Sequence, residues 1–596
     1  MNPKRNNEAA IFHGSSRSYR IHKIYAVLPV VLATLIITIT PACNKQLNEN
    51  PQSVVTPAFF TTAQGFQSGL DAAYGGMRNL WGTENLFTIT CIGTDEFITG
   101  NDGTGNNINY YSSGYTPSDS KLSGIWNPCY TFINTCNGLI DNGPSITGID
   151  TAKRKEMIAE AQFLRANYYF VLVQFWGNVT LNTHFQSTPT TAARRDARAD
   201  VYNFIIQDLK DAIAGLPPGP TSSGVLPGKA TAAAATHLLA KVYLTRASSP
   251  AAQSDDYQNA YNLASSLITN SAALGLGLLP DFGSVYQEGN ESNKEVLWTI
   301  QHTTNLPFNG SPTQNSSGND NVLVHMWVPK YETFVPGMQR DILDGRPYIR
   351  AIPTRWLTDT VFADKMNDTR YNKTFQTVWY CNNAAGIPKW PNPVPAGVNP
   401  SLAGQPKFTL GDTACYMPGV NVTDAQIAAT RYLLMPPRKY NIQMGPYMRK
   451  YVDTHRPDMN SPSIRPVIVW TLSETYLIAA EAAFMLNNAT AAVSYINTIR
   501  ERAAYPTGNA AAMDITAADL SMDFILDERS RELCGQMTRW WDLVRTHNLL
   551  PRIIAHNSDG RANIVPKDTL RPIPQSQINA VTSGPPYGPM SDPLWN

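Results

Sequence analysis

Charge is what this chain has least of. Only 16% of its residues are Asp, Glu, Lys or Arg, against about 25% in a typical soluble domain. The 47 basic and 46 acidic side chains leave a formal charge of +1. No block of one sign occurs, so the basic footprint that neutralises nucleic-acid phosphates is missing, and no nucleic-acid partner is expected. A polybasic or acidic tail is missing too. Cysteine is scarce, with seven in 596 residues, and none falls in a CxxC pair or a metal-ligand spacing. The HExxH, GxSxG and P-loop patterns are absent, and the nine histidines are scattered. No catalytic residue, metal or cofactor is expected.

Asn, Thr, Ser, Gly and Pro take the place of charge, with 10% aromatic and 43% hydrophobic residues. Such a chain can bury a large core and present a neutral polar surface, suited to hydroxyl-rich ligands. Its one long apolar run, residues 24–40, follows a basic stretch with Lys4, Arg5, Arg17, Arg20 and Lys23. The run is slightly short of the ~20 residues of a spanning helix. Pro41, Ala42 and then Cys43 follow. Together these are the basic, apolar and small-residue regions of a secretory signal over residues 1–42. A cysteine at this point resembles a bacterial lipobox, with Thr40 where the usual pattern has Leu. Cys43 is the expected site of acylation, and several acyl chains anchor stably where one does not. Residues 43–62 read as a tether and 63–596 as a single body. Of the other cysteines, Cys129 and Cys136 share a helix face and read as core fillers rather than a disulfide.

Apolar residues recur at helical spacing over residues 63–80, 126–140, 153–176, 201–213, 229–246 and 257–268. The pattern returns over 467–486, 491–504, 523–534 and 539–548. In the clearest case Met157, Ala161, Leu164, Tyr168, Leu172 and Phe175 mark one buried stripe, and Gly177 ends it. The pairing predicts a mostly α protein of tetratricopeptide-like helical hairpins forming a scaffold. Two Pro-, Gly- and Asn-rich stretches, 81–123 and 299–431, break the pattern. The body therefore reads as an N-terminal helical part (63–298), a loop-rich insertion (299–431) and a C-terminal helical part (432–596). Long irregular segments rich in aromatics are functional rather than disordered.

Sugar rings stack their C–H faces on Trp and Tyr while their hydroxyls bond to amides and charged groups. Trp81, Asn101, Tyr110, Tyr111, Trp327, Tyr331, Trp356 and Trp379 are the expected ligand-facing residues on the loops. Trp176, Trp470, Trp540 and Trp541 lie in periodic helices and are expected in the core. The acidic residues read as structural. Asp527 and Glu528 each meet Arg531 at helical spacing, as Asp542 meets Arg539 and Arg545. Glu474 and Glu481 would sit about 10.5 Å apart along one helix, beyond the roughly 5–9.5 Å of a glycosidase pair. Asp95, Glu96, Asn101 and Asp102 lack EF-hand spacing and are expected to cap a loop.

Several segments carry a family pattern, in order along the chain. They are Glu160-Ala161-Gln162-Phe163-Leu164-Arg165-Ala166, Phe175-Trp176-Gly177-Asn178-Val179, Leu238-Leu239-Ala240-Lys241-Val242-Tyr243-Leu244 and Glu295-Val296-Leu297-Trp298. Further on come Glu474-Thr475-Tyr476-Leu477-Ile478-Ala479-Ala480-Glu481-Ala482, Leu526-Asp527-Glu528-Arg529-Ser530-Arg531-Glu532-Leu533 and Arg539-Trp540-Trp541-Asp542-Leu543. The ordered set resembles the SusD/RagB-like family of nutrient-uptake lipoproteins. The end, Tyr587-Gly588-Pro589-Met590, departs from the family's Gln-Asn-Pro-Gly-Tyr. The resemblance implies a surface-facing lipoprotein of the outer membrane. It would act as a lid on a SusC-like TonB-dependent transporter and deliver an oligosaccharide or other nutrient. Two other readings stand beside it: a secreted glycan hydrolase, and a structural lid subunit without its own ligand site.

Overall fold

The computed structural model describes residues 60–305, 309 and 321–588. The signal, Cys43 and all of the tether up to Phe59 lie outside them. The described residues belong to one unit, Thr56–Asn596.

The longer helices follow the apolar periodicity closely, apart from Glu84–Cys91 and Leu549–His556, which lie outside the periodic segments. They are α1 (Ala63–Gly76), α2 (Glu84–Cys91), α3 (Ser120–Asn142), α4 (Thr151–Trp176), α5 (Arg198–Gly215), α6 (Ala232–Ala247) and α7 (Asp256–Thr269), then α8 (Leu472–Met485), α9 (Ala489–Ala503), α10 (Met522–Leu533), α11 (Arg539–Arg545) and α12 (Leu549–His556). Helix α4 shows the local logic. The Asp150 carboxylate accepts from the Ala152 and Lys153 N–H groups at 2.8 and 3.2 Å, satisfying donors that an α-helix leaves open. Gly177, at φ +66°, turns the chain out of the helix at little steric cost. The expected single stripe is too narrow a description. From Ala159 onward nearly every residue is buried, Glu160, Arg165 and Asn167 included, because α1, α3 and α5 all pack around α4.

Successive helices from α3 to α7 pack each on the next, and α8 then packs on α7 and α9 on α8. The C-terminal hairpin thus extends the N-terminal array in space, although some two hundred residues of chain, roughly, separate them. The expected mostly α hairpin scaffold is what forms. No helix among the described residues is long and apolar enough to cross a membrane.

The periodic reading of residues 467–486 as one helix needs correction. Val467–Thr471 is a strand (β7), and the helix begins at Leu472. Its Val-Ile-Val-Trp-Thr sequence is β-branched and aromatic, which favours a pleated surface. It pairs antiparallel with β2 (Val296–Ile300), Trp298 opposite Trp470. Those two indoles stack at 4.9 Å, and Phe163 of α4 packs edge-on against both.

The two irregular stretches are less irregular than their composition predicts. The first contains α2, and its strand β1 (Phe97–Thr99) pairs antiparallel with β3 (Ala351–Pro353) of the second. Within the second, β4 (Val378–Tyr380) pairs with β5 (Thr413–Tyr416), and β5 runs parallel to β6 (Leu433–Leu434). The loop-rich part therefore continues past residue 431. Tyr587, in the departing C-terminal sequence, is buried on α3. Its hydroxyl lies 2.7 Å from that of Thr180, and its ring packs on Trp126.

Candidate functional site: a polar rim along the β1–β3 ribbon

Five of the eight residues expected to face a ligand are enclosed by protein, which corrects the expectation for them. Trp81, Tyr111, Trp327, Tyr331 and Trp379 are at most 7% exposed. Each pins a loop to the core. Trp327 sits against Phe87 of α2 and Phe97 of β1, with ring centres 4.7 and 4.9 Å away. Tyr331 donates to the Gly345 carbonyl and Tyr111 to that of Gly93. Trp379 packs on Tyr447, and Trp81 edge-on against Trp541. Trp176, Trp470, Trp540 and Trp541 are in the core, as expected.

Asn101, Tyr110 and Trp356 keep accessible surface. The ribbon separates them: Asn101 follows β1 at one end, and Trp356 follows β3 at the other. Trp356 stacks on His556 at 4.5 Å, with Arg552 4.7 Å from its ring centre. Tyr110 is 41% exposed, and its backbone carbonyl accepts from the Asn563 amide.

The Asn101 end carries more polar chemistry. The Asn101 N–H donates to the Ile442 carbonyl at 2.9 Å, and its side-chain oxygen accepts from the Gln443 amide at 3.3 Å. Across the ribbon, Gly100 donates to the Arg350 carbonyl. A side chain at Gly100 has no room, because a Cβ there would lie 2.1 Å from the Ile349 carbonyl oxygen. Ile349 itself sits at φ +48°, a strained position for a β-branched residue. Pro347 and Ile349 are buried, whereas Arg346, Tyr348 and Arg350 share the partly open side. Both guanidiniums lie about 5 Å from the Tyr348 ring centre. Arg350 is ion-paired to Asp102 and, at 3.3 Å, to Glu84. The result is a near-neutral rim of two amides, a phenol ring, the exposed Ile442 and a guanidinium held in place by two acids. Sequence reasoning missed Tyr348, Arg350 and Gln443. The Arg-Pro-Tyr-Ile-Arg alternation was the available signal.

The acidic clusters have other work. Asp95 is not a loop cap: it is fully buried between Arg539 and Arg552, at 2.6 and 2.7 Å. Burial opposes its ionisation, yet the two guanidiniums outweigh that and hold its carboxyl down at about 2. Asp102 does cap its loop, accepting from the Thr104 N–H and hydroxyl. Of the expected helical pairs, Glu528–Arg531 and Asp542–Arg545 form, but Arg539 turns to Asp95 and Asp527 to Arg552. Burial raises two carboxyls, Glu96 and Asp344, to about 7. Both are enclosed, so neither is presented to a substrate as a general acid. His237 lies 2.9 Å from the Thr475 hydroxyl and 3.2 Å from Glu474.

Comparison with known proteins bears on both fold and site. Residues 354–583 match the model of the SusD family, and residues 47–244 match a second, described as starch-binding and associating with the outer membrane. SusD-like protein P2 of Formosa agariphila is 26% identical over 535 residues, covering 87% of this chain and 89% of that protein. A SusD-like protein of Bacteroides ovatus is 29% identical over 283 residues, 46% of this chain and 49% of its own. Among solved structures, a SusD homologue from Bacteroides thetaiotaomicron superposes with a TM-score of 0.66 at 21% identity, covering 89% of this chain and 98% of that one. A laminarin-binding SusD-like protein superposes with a TM-score of 0.61 at 20% identity, covering 87% and 98%. By both family models, and by a fold shared over nearly the whole body, the chain belongs to the SusD/RagB family of non-catalytic, outer-membrane-associated proteins.

Proposed function

We propose that this protein captures a neutral glycan at the bacterial surface and hands it to a SusC-like TonB-dependent transporter. Acylated Cys43 tethers it to the outer membrane. The observation that carries the reading is the rim of Asn101, Tyr348, Arg350 and Gln443. It offers fixed amide, phenol and guanidinium groups to a sugar's hydroxyls, with little net charge to repel or demand an ion. The relatives' names support the ligand class: one is a laminarin-binding SusD-like protein, and another is surface glycan-binding protein A in complex with laminarihexaose.

Affinity electrophoresis through gels containing laminarin or starch tests this. The protein is expected to be retarded, and an Asn101→Ala, Tyr348→Ala double variant to lose about tenfold or more in affinity. Retardation by neither polysaccharide, or equal retardation of the variant, would defeat the proposal.

A further inference from the structure

We propose that a cleft walled by α4, α5, α6 and α11 binds one monosaccharide carrying a carboxylate, of the uronic-acid class, with the Arg198 guanidinium on that carboxylate. Gln174 comes from α4, Arg198 and Tyr202 from α5, Thr245 from α6 and Trp541 from α11. Arg198 and Tyr202 are one helical turn apart, on one face of α5. The cleft has a volume of about 240 Å³. That is below the roughly 300–1,000 Å³ of sites for larger ligands, so it suits one sugar ring rather than a chain. It shares no residue with the rim around Tyr348.

The observation that carries the proposal is a set of donors with nothing to donate to. Arg545, at the cleft wall, is neutralised by Glu481 and Asp542. The Arg198 guanidinium has no ion pair or hydrogen bond among the described residues, and no Asp or Glu lines the cleft. Tyr202 is 2% exposed, yet its hydroxyl has no hydrogen-bond partner among the described residues, and a buried polar group left so costs free energy. Burial pushes that hydroxyl up to about 12, so it stays a donor at neutral pH. The Trp541 indole N–H has no partner either. The hydroxyls of Thr245, Ser249 and Thr569, by contrast, already donate to the carbonyls of Lys241, Arg246 and Pro566. A wall with a free guanidinium, a free phenol and no carboxylate selects an anion, and the planar guanidinium matches a carboxylate bidentately. The rest of the wall selects a sugar. The Gln174 amide nitrogen donates to the Phe170 carbonyl at 3.1 Å, which leaves its oxygen to accept from a hydroxyl. Val173, Val544 and Leu570 give a ring's C–H face an apolar surface. His547, exposed at the edge of the cleft, marks the way in.

Titration calorimetry of the mature chain with D-galacturonate tests this, with D-galactose, which lacks the carboxylate, as the comparison. One galacturonate per chain is expected, and galactose should bind about tenfold or more weakly. Arg198 makes no ion pair, so Arg198→Gln should fold, and Tyr202→Phe removes a single hydroxyl. Both should keep the wild-type unfolding midpoint in the absence of sugar. Arg198→Gln should bind galacturonate about tenfold more weakly, and Tyr202→Phe about threefold or more. The Asn101→Ala, Tyr348→Ala variant should bind galacturonate as the wild type does, which separates the cleft from the rim. The proposal is overturned if galacturonate does not bind, if galactose binds equally well, if either cleft variant binds as the wild type does, or if the rim variant loses the binding.

Discussion

The Lys241 ammonium lies 2.6 Å from the Glu474 carboxylate, and both are buried. This contact starts a chain of alternating charge. Glu474 also meets Arg529 at 3.4 Å, Arg529 meets Asp542 at 2.9 Å, Asp542 meets Arg545 at 2.8 Å, and Arg545 clasps Glu481. Three cations and three anions thus join α6, α8, α10 and α11. Burial pushes the Glu474 carboxyl up, but Lys241, His237 and Arg529 outweigh it and hold the carboxyl well below the usual range. Removing one member strands the others without solvent. Glu474→Gln should cost about 3–5 kcal/mol of stability, the scale for breaking a buried pair from one side. Urea denaturation would measure it, and a loss under ~1 kcal/mol would mean the chain is not coupled.

Acid should act on the same framework. Glu474, Glu528 and Asp542 all have carboxyls lowered by Arg or Lys partners against the opposing effect of burial, as does Asp95, at about 2. A lowered folded-state pKa contributes stability that is complete above the unfolded value, about 4, and is lost as pH falls towards the folded one. The urea midpoint should therefore fall steadily from about pH 4.5 downward. A midpoint unchanged between pH 5 and pH 3 would contradict the ion-pair assignments.

Loop aromatics should divide into two classes by experiment. Trp327→Ala empties a site between Phe87 and Phe97 and should cost about 3–5 kcal/mol. Tyr348→Ala should weaken glycan retention while costing much less stability than that. Comparing thermal midpoints with polysaccharide gel retardation separates the two. The same stability loss for both would place Tyr348 in the core rather than on the rim.

Gly100→Ala should damage the rim without touching any of its polar groups. The added methyl has no space against the Ile349 carbonyl, so the ribbon must shift, at a cost of about 1–3 kcal/mol. Glycan affinity should fall with it. Wild-type affinity in this variant would show that rim geometry is not critical.

Replacing Cys43 tests the anchor separately from the ligand site. Cys43→Ala should move the protein from the membrane fraction to the soluble fraction and leave its laminarin affinity intact. Continued membrane association would rule out Cys43 as the anchor.

The helical scaffold was legible because its signals are local: a stripe at steps of three and four and a closing Gly. What escaped was long-range. Residues 467–471 share hydrophobicity with the helix that follows, and only pairing with residues 296–300 makes them a strand. Composition marked Trp327 as a loop residue, correctly by position. Its burial depends on Phe87 and Phe97, far away in the chain. Arg539 likewise ignores its helical neighbour for Asp95. Pro- and Gly-rich sequence reports backbone shape, not exposure, so ligand-facing aromatics cannot be told from loop anchors by composition.

The pairing of β1 with β3 has a consequence for the order in which the protein becomes functional. Asn101 and Gly100 are synthesised long before Tyr348 and Arg350, and Gln443 comes later still. Closing so large a loop is entropically costly and slow. The nascent chain is therefore without a rim while its N-terminal helices are already able to stack. A chain truncated before β3 would carry half of each polar contact and no binding surface. On the proposed function, ligand capture is in this sense a property acquired at the end of folding.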